Sequence, residues 1–447
     1  MAESILQFPR APLSCLLASA CCLMALSAGA PVHAAAPGAV PASPANAPGA
    51  AASAGSRRAN TRVAAPVGDG DASVNAAAAG GGSSGAAHTT VPSGRCDWPD
   101  WRGFVAAHVQ ADGRVIDYGP PQQTTSEGES YAMFFALVNN DRATFDKLLA
   151  WTEANLGSGD LSARLPAWQW GQRKDGSWGV IDQNSASDAD LWIAYALFEA
   201  GRLWHQSRYT NVARQMLEQV KRSEMFALPG FGPMLAPGQT GFQVATDVWR
   251  INPSYLPIPL LRLFARNDPQ GPWKTLASNT VSMLRATSPR GFAPDWAGFQ
   301  TGKGFIVDPQ KGDVGSYDAI RVYLWAGLTP KSDPLSGPLL AALGGMRAAV
   351  QSQGMPPEKV STLTGAGSGA APAGFAAALL PYLKAQGASA PYATMQSRAG
   401  AASAMAGKPP VYYDRVLQLF GQGFADGRYR FDANGRLLPR WDASCRQ

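Results

Sequence analysis

Apolar residues recur at helical spacing through most of the chain after residue 95. The pattern predicts helices over 130–139, 143–154, 188–204, 211–222, 254–264, 319–328, 338–350 and 373–383. Alternation of period two is scarce, and its clearest case, 427–438, resembles a hairpin around Asn434 and Gly435. Helices joined by loops rich in Gly, Pro and Trp predict a compact all-α domain with functional loops. Periodicity alone leaves open whether the helices pair in a toroid or pack irregularly.

The first 94 residues have a different composition. An uncharged apolar run, 13–30, is followed at 32–34 by a segment that resembles a signal-peptidase site. We predict a signal peptide over 1–34. The alternative, a membrane anchor, is disfavoured because serines and a glycine interrupt the run. Residues 35–94 contain no aromatic residue, Leu, Ile or Met, which predicts a disordered linker. One folded domain is therefore predicted over 95–447, in a secreted protein that is periplasmic or extracellular.

Cysteine usage agrees with an oxidising compartment. Three of the five cysteines lie in the predicted signal, which leaves Cys96 and Cys445 near the two ends of the folded domain. An even pair in a secreted chain predicts a disulfide between them, and two free thiols are the alternative.

Charge and histidine content narrow the function classes. The formal net charge is +6, and the basic residues are scattered, so nucleic-acid binding is not indicated. The chain has four histidines, and neither a His or Cys metal site nor a Ser-His-Asp motif is recognisable. After the signal no segment is apolar for long enough to span a bilayer, so stable membrane insertion is not expected.

Three segments place acidic residues at the start of a predicted helix. They are Glu127 after the candidate N-cap Ser126, Asp188 with Asp190 in 186–204, and Asp318 one turn before Arg321 in 315–325. Separately, each has an ordinary structural interpretation as a first-turn acid favoured by the helix dipole or as a surface ion pair.

Together, the three segments occur in the order found in glycoside hydrolase family 8, the cellulase D family, which the chain resembles from about Cys96 onward. The resemblance implies that Glu127 is the proton donor and that Asp188 is the active-site aspartate of the family signature. It also implies that Asp318 is the water-activating base, with Tyr317 and Arg321 beside it.

The resemblance further implies an (α/α)6 barrel with short β-hairpin elements. The expected activity is endo-acting, inverting hydrolysis of β-1,4-glucan, without metal or organic cofactor. The match is closest to the branch of the family that accompanies bacterial cellulose synthesis. Cellulose is thus the expected partner, and the cellulose synthase or export complex is a further candidate. Chitosanase, xylanase or lichenase activity within the family remain alternatives, as do a non-catalytic glycan-binding role and a toroidal polysaccharide lyase.

Assignment of the base rests on the neighbours of each aspartate. Tyr317 offers a hydrogen-bond donor and Arg321 a cation, so both are expected to keep Asp318 ionised and oriented, whereas Asp188 is expected to grip the sugar. The alternative assigns Asp188 as the group that attacks or activates water. The acid and base of an inverting enzyme lie about 6.5–9.5 Å apart.

Two departures from the family pattern are visible. Glu129 and Ala132 stand where relatives commonly have Gln and Gly, and the extra carboxylate is expected to perturb Glu127 if the helix begins later than predicted.

Aromatic side chains in loops are expected to stack on sugar rings. The candidate set is Trp98, Trp101, Trp168, Trp170, Trp178, Trp249, Tyr255 and Trp296, of which three or four are expected in the cleft. The residues predicted to bind substrate are Tyr317, Arg321, Trp178, Trp170, Trp249, Tyr255 and Asp190.

Overall fold

Helices account for most of the secondary structure in the computed structural model, which describes residues 96–119, 122–403 and 411–444. The predicted signal peptide and the predicted linker, together with Cys445, lie outside the described residues. The helices are α1 (Pro99–His108), α2 (Ser126–Val138), α3 (Arg142–Asn155), α4 (Ser187–Leu203), α5 (Ser207–Ser223), α6 (Ile258–Asn267), α7 (Trp273–Thr287), α8 (Ala319–Leu328), α9 (Ser336–Ala342), α10 (Gly344–Gln353), α11 (Ala373–Ala385), α12 (Ser389–Ser403), α13 (Tyr412–Ala425) and α14 (Arg440–Ser444).

The predicted helices agree with this assignment in most places, and the differences have local causes. Helix α8 has the predicted bounds, whereas α2 begins four residues earlier, at Ser126. The segment predicted as 254–264 opens with a 3-10 turn, Pro253–Tyr255, and α6 starts only after Pro257. The segment predicted as 338–350 divides into α9 and α10 before Gly344, because adjacent glycines favour an interruption. The prediction omitted α1, α7, α12, α13 and α14.

Helices α2, α4, α6, α8, α11 and α13 form the buried layer. Almost every residue of α2, α4, α8 and α11 is buried, so these helices are enclosed by protein on all sides. More exposed helices pack against them, with α3 on α2, α5 on α4, α7 on α6, α9 on α8 and α12 on α11. The prediction of a helical domain is therefore confirmed for the described residues.

Glycines allow the closest approach between buried helices. A Cβ atom at Gly421 in α13 would lie 1.8 Å from the carbonyl oxygen of Ala377 in α11. A Cβ atom at Gly327 in α8 would lie 2.1 Å from the backbone nitrogen of Tyr382, also in α11. Substitution at either glycine would push α11 away from its neighbour, because packed backbones cannot yield locally.

Short antiparallel strands connect the helices. They are β1 (Thr124–Thr125), β2 (Gln169–Gln172), β3 (Trp178–Asp182), β4 (Met225–Leu228), β5 (Gly232–Leu235), β6 (Gln243–Ala245), β7 (Val248–Ile251), β8 (Ala297–Gln300), β9 (Gly304–Val307), β10 (Val314–Gly315), β11 (Pro357–Ser361), β12 (Gly367–Ala370), β13 (Tyr429–Phe431) and β14 (Leu437–Pro439). The predicted hairpin is present as β13 and β14. The prediction missed the four-stranded sheet β6-β7-β8-β9, because strands of three or four residues are too short to establish a period of two.

Three of the candidate carboxyl groups lie at the N-terminal ends of buried helices. Glu127 is in the first turn of α2, Asp188 is in the first turn of α4, and Asp318 is the N-cap residue of α8. Within the described ranges no helix has both the length and the apolar character needed to cross a membrane.

Candidate active site

Glu127 occupies a desolvated position at the start of α2. The helix is capped by Thr125, whose side chain accepts a hydrogen bond from the Gly128 backbone, so the predicted cap, Ser126, is wrong by one residue. The indole of Trp168 donates to Glu127 Oε1 over 3.1 Å, and Oε2 has no partner among the described residues. Burial, and secondly the charge of Asp188, raise the pKa of Glu127 to about 8. Glu127 therefore carries its proton at neutral pH, as a general acid must.

The glycine that follows Glu127 is explained by packing. A Cβ atom at Gly128 would lie 2.7 Å from the hydroxyl oxygen of Tyr412 in α13. A side chain at this position would therefore force Tyr412 and the first turn of α2 apart, which would move Glu127. Strand β1 holds the same turn from the other side, since Thr124 pairs with Trp170 of β2 and the Ser126 backbone donates to the carbonyl of Trp168.

Glu129 points away from the site. It is completely buried, and its Oε1 accepts a hydrogen bond of 2.8 Å from the backbone of Val115. Because α2 begins at Ser126, Glu127 and Glu129 lie on different faces of the helix. Glu129 was expected to perturb Glu127 only if the helix began later than predicted, and α2 does not begin later.

Asp188 is almost inaccessible, with 1% of its surface exposed. Its Oδ1 accepts from the Ala189 backbone over 2.9 Å, and the Tyr131 hydroxyl lies 3.4 Å from Oδ2. Burial raises the pKa of Asp188 to about 6, against the opposing effect of the Arg321 guanidinium. The residue is therefore ionised at neutral pH but close to its titration range.

Asp318 lies in more polar surroundings, with 32% of its side chain exposed. Arg321 donates to Oδ1 over 2.9 Å and the Trp296 indole donates to Oδ2 over 3.1 Å, so each oxygen has one donor. Asp295 fixes the local backbone by accepting from the N–H groups of Ser316, Asp318 and Ala319. A cavity of about 430 Å³ opens beside Asp318, and its lining includes Tyr413.

One guanidinium connects the two aspartates. Nη2 of Arg321 lies 2.9 Å from Asp318 Oδ1, 3.8 Å from Asp188 Oδ2 and 2.8 Å from the hydroxyl of Ser254. Ser254 in turn donates to Asn252. Glu127 is influenced by both Asp188 and Arg321, so the four charged groups form one cluster.

Tyr317 was predicted to donate a hydrogen bond to Asp318, but its hydroxyl bonds to a different residue. Its hydroxyl donates to Glu358 over 3.2 Å, and 44% of the residue is exposed. The donors that orient Asp318 are instead Arg321, which was predicted, and Trp296, which was considered only as a sugar platform.

The other predicted substrate contacts divide between exposed and buried positions. Trp178 is 46% exposed and stacks on Trp170, with ring centres 5.4 Å apart. Tyr255 is partly buried beside the Arg321 guanidinium. Trp249 packs against Phe299 in the core.

Asp190 is completely buried, and its carboxyl group lies next to that of Glu224 instead of facing open space. Glu224, Ser254 and Asp295 support the cluster but were not predicted as site residues, whereas Trp168 was considered only as a sugar platform. Nothing in the local sequence separates Glu224, Ser254 and Asp295 from ordinary polar residues.

The site combines one arginine, Arg321, with three carboxyl groups, those of Glu127, Asp188 and Asp318. This combination indicates the type of reaction that the site can catalyse. A carboxyl group that keeps its proton at neutral pH can protonate a leaving oxygen, and a carboxylate held by a guanidinium can activate water. This combination is the catalytic arrangement of a glycoside hydrolase.

Comparison with known proteins identifies the family. The model of glycosyl hydrolases family 8 matches residues 85–427. An endoglucanase of Xanthomonas axonopodis pv. citri is 52% identical over 357 residues, which cover 80% of this chain and 92% of that protein. An endoglucanase of Escherichia coli K12 is 44% identical over 351 residues, covering 78% and 93% respectively. The crystal structure of an endo-1,4-D-glucanase from Vibrio fischeri matches with a TM-score of 0.74 and 40% identity, covering 77% of this chain and 99% of that one.

The chain belongs to glycosyl hydrolases family 8. The predicted family and the predicted enzyme class, a glycoside hydrolase of the endoglucanase kind, are confirmed.

Proposed function

We propose that the protein hydrolyses internal β-1,4 bonds of a glucan such as cellulose with inversion of configuration. Glu127 protonates the leaving oxygen, Asp318 activates the water, and Asp188 holds the sugar at the cleavage point. The observation that carries this assignment is the contrast between a carboxyl group that keeps its proton, Glu127, and a carboxylate held by Arg321 and Trp296, Asp318.

Solvent access favours Asp318 over Asp188 as the base. A base must reach a water molecule on the face of the sugar opposite the acid. Asp318 has an exposed edge and borders the cavity that Tyr413 also lines, whereas Asp188 has 1% exposure. Asp188 lies close enough to Glu127 to raise its pKa, which suits a residue that contacts the sugar ring beside the acid.

The glucan specificity is supported by the relatives, which are endoglucanases, and by the exposed Trp178, which stacks on the half-buried Trp170. Flat indole rings stack on the apolar faces of pyranose units. The segments around Asp188 and Asp318 resemble the branch that accompanies bacterial cellulose synthesis. We therefore infer a role beside cellulose synthesis and export.

The proposed (α/α)6 barrel is supported by contacts between the last and first buried helices. The ring of Phe420 in α13 lies 5.5 Å from that of Phe134 and 4.6 Å from that of Phe135, both in α2. This contact would close the buried helices into a ring with the active-site residues at one end.

Secretion remains a proposal based on the predicted signal peptide. Cys96 takes part in a disulfide, and we propose Cys445 as its partner. Thiol titration of denatured, unreduced protein from the periplasm is expected to find no free thiol, and two free thiols would contradict the bridge.

The substrate is tested by measuring reducing ends released from carboxymethylcellulose, lichenan, chitosan and xylan. We expect the fastest release from carboxymethylcellulose. Faster hydrolysis of chitosan or xylan would assign the protein to a different activity within the family.

The mechanism is tested by following product anomers by NMR and by azide rescue of Asp318→Ala and Asp188→Ala. The wild type is expected to release the α-anomer first, and azide is expected to rescue Asp318→Ala. Rescue confined to Asp188→Ala, or retention of configuration in the wild type, would reverse the assignment.

A further inference from the structure

A second pair of carboxyl groups lies behind Asp188. Asp190 follows it in the first turn of α4, and Glu224 is the C-cap residue of α5. Both residues have 0% exposure, and their carboxyl groups lie within hydrogen-bonding reach of each other. The proposed mechanism uses neither group.

The hydrogen bonds of this pair require a proton. Glu224 Oε1 accepts from the hydroxyl of Ser185. Neither oxygen of Asp190 nor Oε2 of Glu224 has a donor among the described residues apart from the other carboxyl group. An ionised carboxylate only accepts hydrogen bonds, so a bond between two carboxyl groups exists only when one of them is protonated.

Electrostatics leads to the same proton count. The strongest influences on Asp190 are burial, Glu224, Asp188 and Glu127, and those on Glu224 are burial, Ser185, Asp190 and Asp188. No cation is among them, and two buried charges without a cation are strongly unfavourable. Burial, and secondly the charge of Glu224, hold the pKa of Asp190 well above its usual range, and burial raises the pKa of Glu224 to about 7.

The proton belongs on Asp190. Glu224 has a second donor in Ser185, which stabilises its ionised form, whereas Asp190 has no other donor. Asp190 therefore donates to Glu224.

The same network holds the segment that carries Asp188. Ser185 donates to Glu224 and accepts from the Gln239 backbone, and the Ala236 backbone donates to the carbonyl of Glu224. Asp188 thus lies between two residues, Ser185 and Asp190, that are both tied to Glu224. This connection fixes the first turn of α4 on both sides of Asp188.

We propose that Asp190 and Glu224 share a single proton and act as positioning residues for Asp188. The pair keeps one negative charge, instead of two, next to Asp188 and holds the turn in which Asp188 lies. The catalytic part of this inference rests on the proposed function of Asp188, whereas the shared proton does not.

Kinetics of Glu224→Ala and Glu224→Gln test the positioning role. The alanine variant removes the anchor, and a displaced Asp188 is expected to lower kcat by about 10- to 100-fold. Glutamine can accept from Ser185 and donate to an ionised Asp190, so it is expected to recover most of that loss. Unchanged kcat in the alanine variant, or no recovery with glutamine, would overturn the positioning role.

Proton counting tests the pair independently of activity. At pH 8, where Glu224 is ionised and Asp190 keeps its proton, infrared spectra of the wild type are expected to contain the carbonyl band of a buried carboxylic acid, and Glu224→Gln and Asp190→Asn are each expected to weaken it. Asp333→Asn is the matched control, because that buried carboxylate forms an ion pair with Arg262. A band unchanged in both Glu224→Gln and Asp190→Asn would overturn the shared proton.

Unfolding midpoints between pH 5 and pH 8 give a second readout. The folded pair keeps a proton that the unfolded chain releases, so the wild type is expected to lose stability as pH rises through this interval. In Glu224→Gln, the loss of stability between pH 5 and pH 8 is expected to be smaller by the amount that corresponds to about one proton. Equal pH dependence of the unfolding midpoint in the wild type and in Glu224→Gln would contradict the shared proton, whether or not the enzyme cleaves glucan. The infrared and unfolding measurements do not require activity, so they remain valid if the proposed function fails.

Discussion

Glu127 and Asp318 are both carboxyl groups at the start of a buried helix, yet their surroundings are opposite. Glu127 has one indole donor, one oxygen without a partner and a neighbouring carboxylate, Asp188. Asp318 has a guanidinium on one oxygen, an indole on the other and an exposed edge. Desolvation without compensation favours the protonated form, whereas a cation and two donors favour the ionised form.

The acid and the base therefore differ because of their neighbouring groups and not because of residue type. The same arginine serves both, because it compensates Asp318 directly and reduces the effect of Asp188 on Glu127. Substitutions of these neighbours should therefore change the function of the acid or of the base separately.

The largest effect is expected from Glu127→Gln, which keeps the shape of the side chain but removes the proton donor. We expect kcat to fall by about 100- to 10,000-fold, with oligosaccharide binding retained. Glu129→Gln is the matched control in the same helix, since Glu129 contacts the Val115 backbone outside the site, and its kcat should stay close to the wild type. Comparable losses in both variants would show that helix damage, and not loss of the acid, explains the result.

The second prediction removes the shared cation. Arg321→Gln removes the cation that binds Asp318 and lies beside Asp188, so we expect kcat to fall by about 100-fold. The alkaline limb of kcat/KM, which depends on the protonated Glu127, is expected near pH 8 in the wild type. It should move to higher pH in the variant, because Arg321 lowers the pKa of Glu127. A limb that moves to lower pH would contradict this arrangement.

The third prediction concerns stability. Glu127 has a folded pKa of about 8, above its unfolded value, so its favourable contribution is complete in acid and is lost as pH rises towards 8. Glu127→Gln does not titrate and should be more stable than the wild type at pH 8, by on the order of a few kcal/mol, but not at pH 4. Thermal unfolding at both pH values measures the difference. Equal stability at pH 8 would mean that burial of Glu127 is not penalised.

The fourth prediction weakens the base without removing it. Trp296→Phe loses the indole donor to Asp318, and we expect kcat to fall by about 10-fold with little change in KM. Trp204→Phe is the matched control, because its indole donates to Asn140 at the other end of α4. A loss confined to KM would indicate that Trp296 acts as a sugar platform.

The smallest effect is expected from Trp168→Phe. The indole stabilises the ionised form of Glu127, so its removal should raise the pKa of Glu127 further and move the alkaline limb of kcat/KM to higher pH. At pH 6, where Glu127 is protonated in both proteins, we expect only a few-fold change. A limb at lower pH would contradict the direction of this hydrogen bond.

Local sequence patterns were enough to predict the helical class, most helix positions and the candidate carboxyl residues. Continuous apolar patterns predict buried helices, and short motifs at their starts carried the family resemblance. The sequence also predicted that Glu127 lies in the first turn of its helix, because the segment before it contains cap-forming residues.

Which side chains act together depends on the tertiary structure. Trp168 and Glu127 are 41 positions apart, and Ser185 and Glu224 are 39 apart, so no local pattern joins them. The same limit explains the roles of Tyr317, Trp296 and Asp190, which depend on contacts with Glu358, Asp318 and Glu224. Protonation follows from desolvation and from the charges that surround a group, and those exist only when distant helices pack against one another.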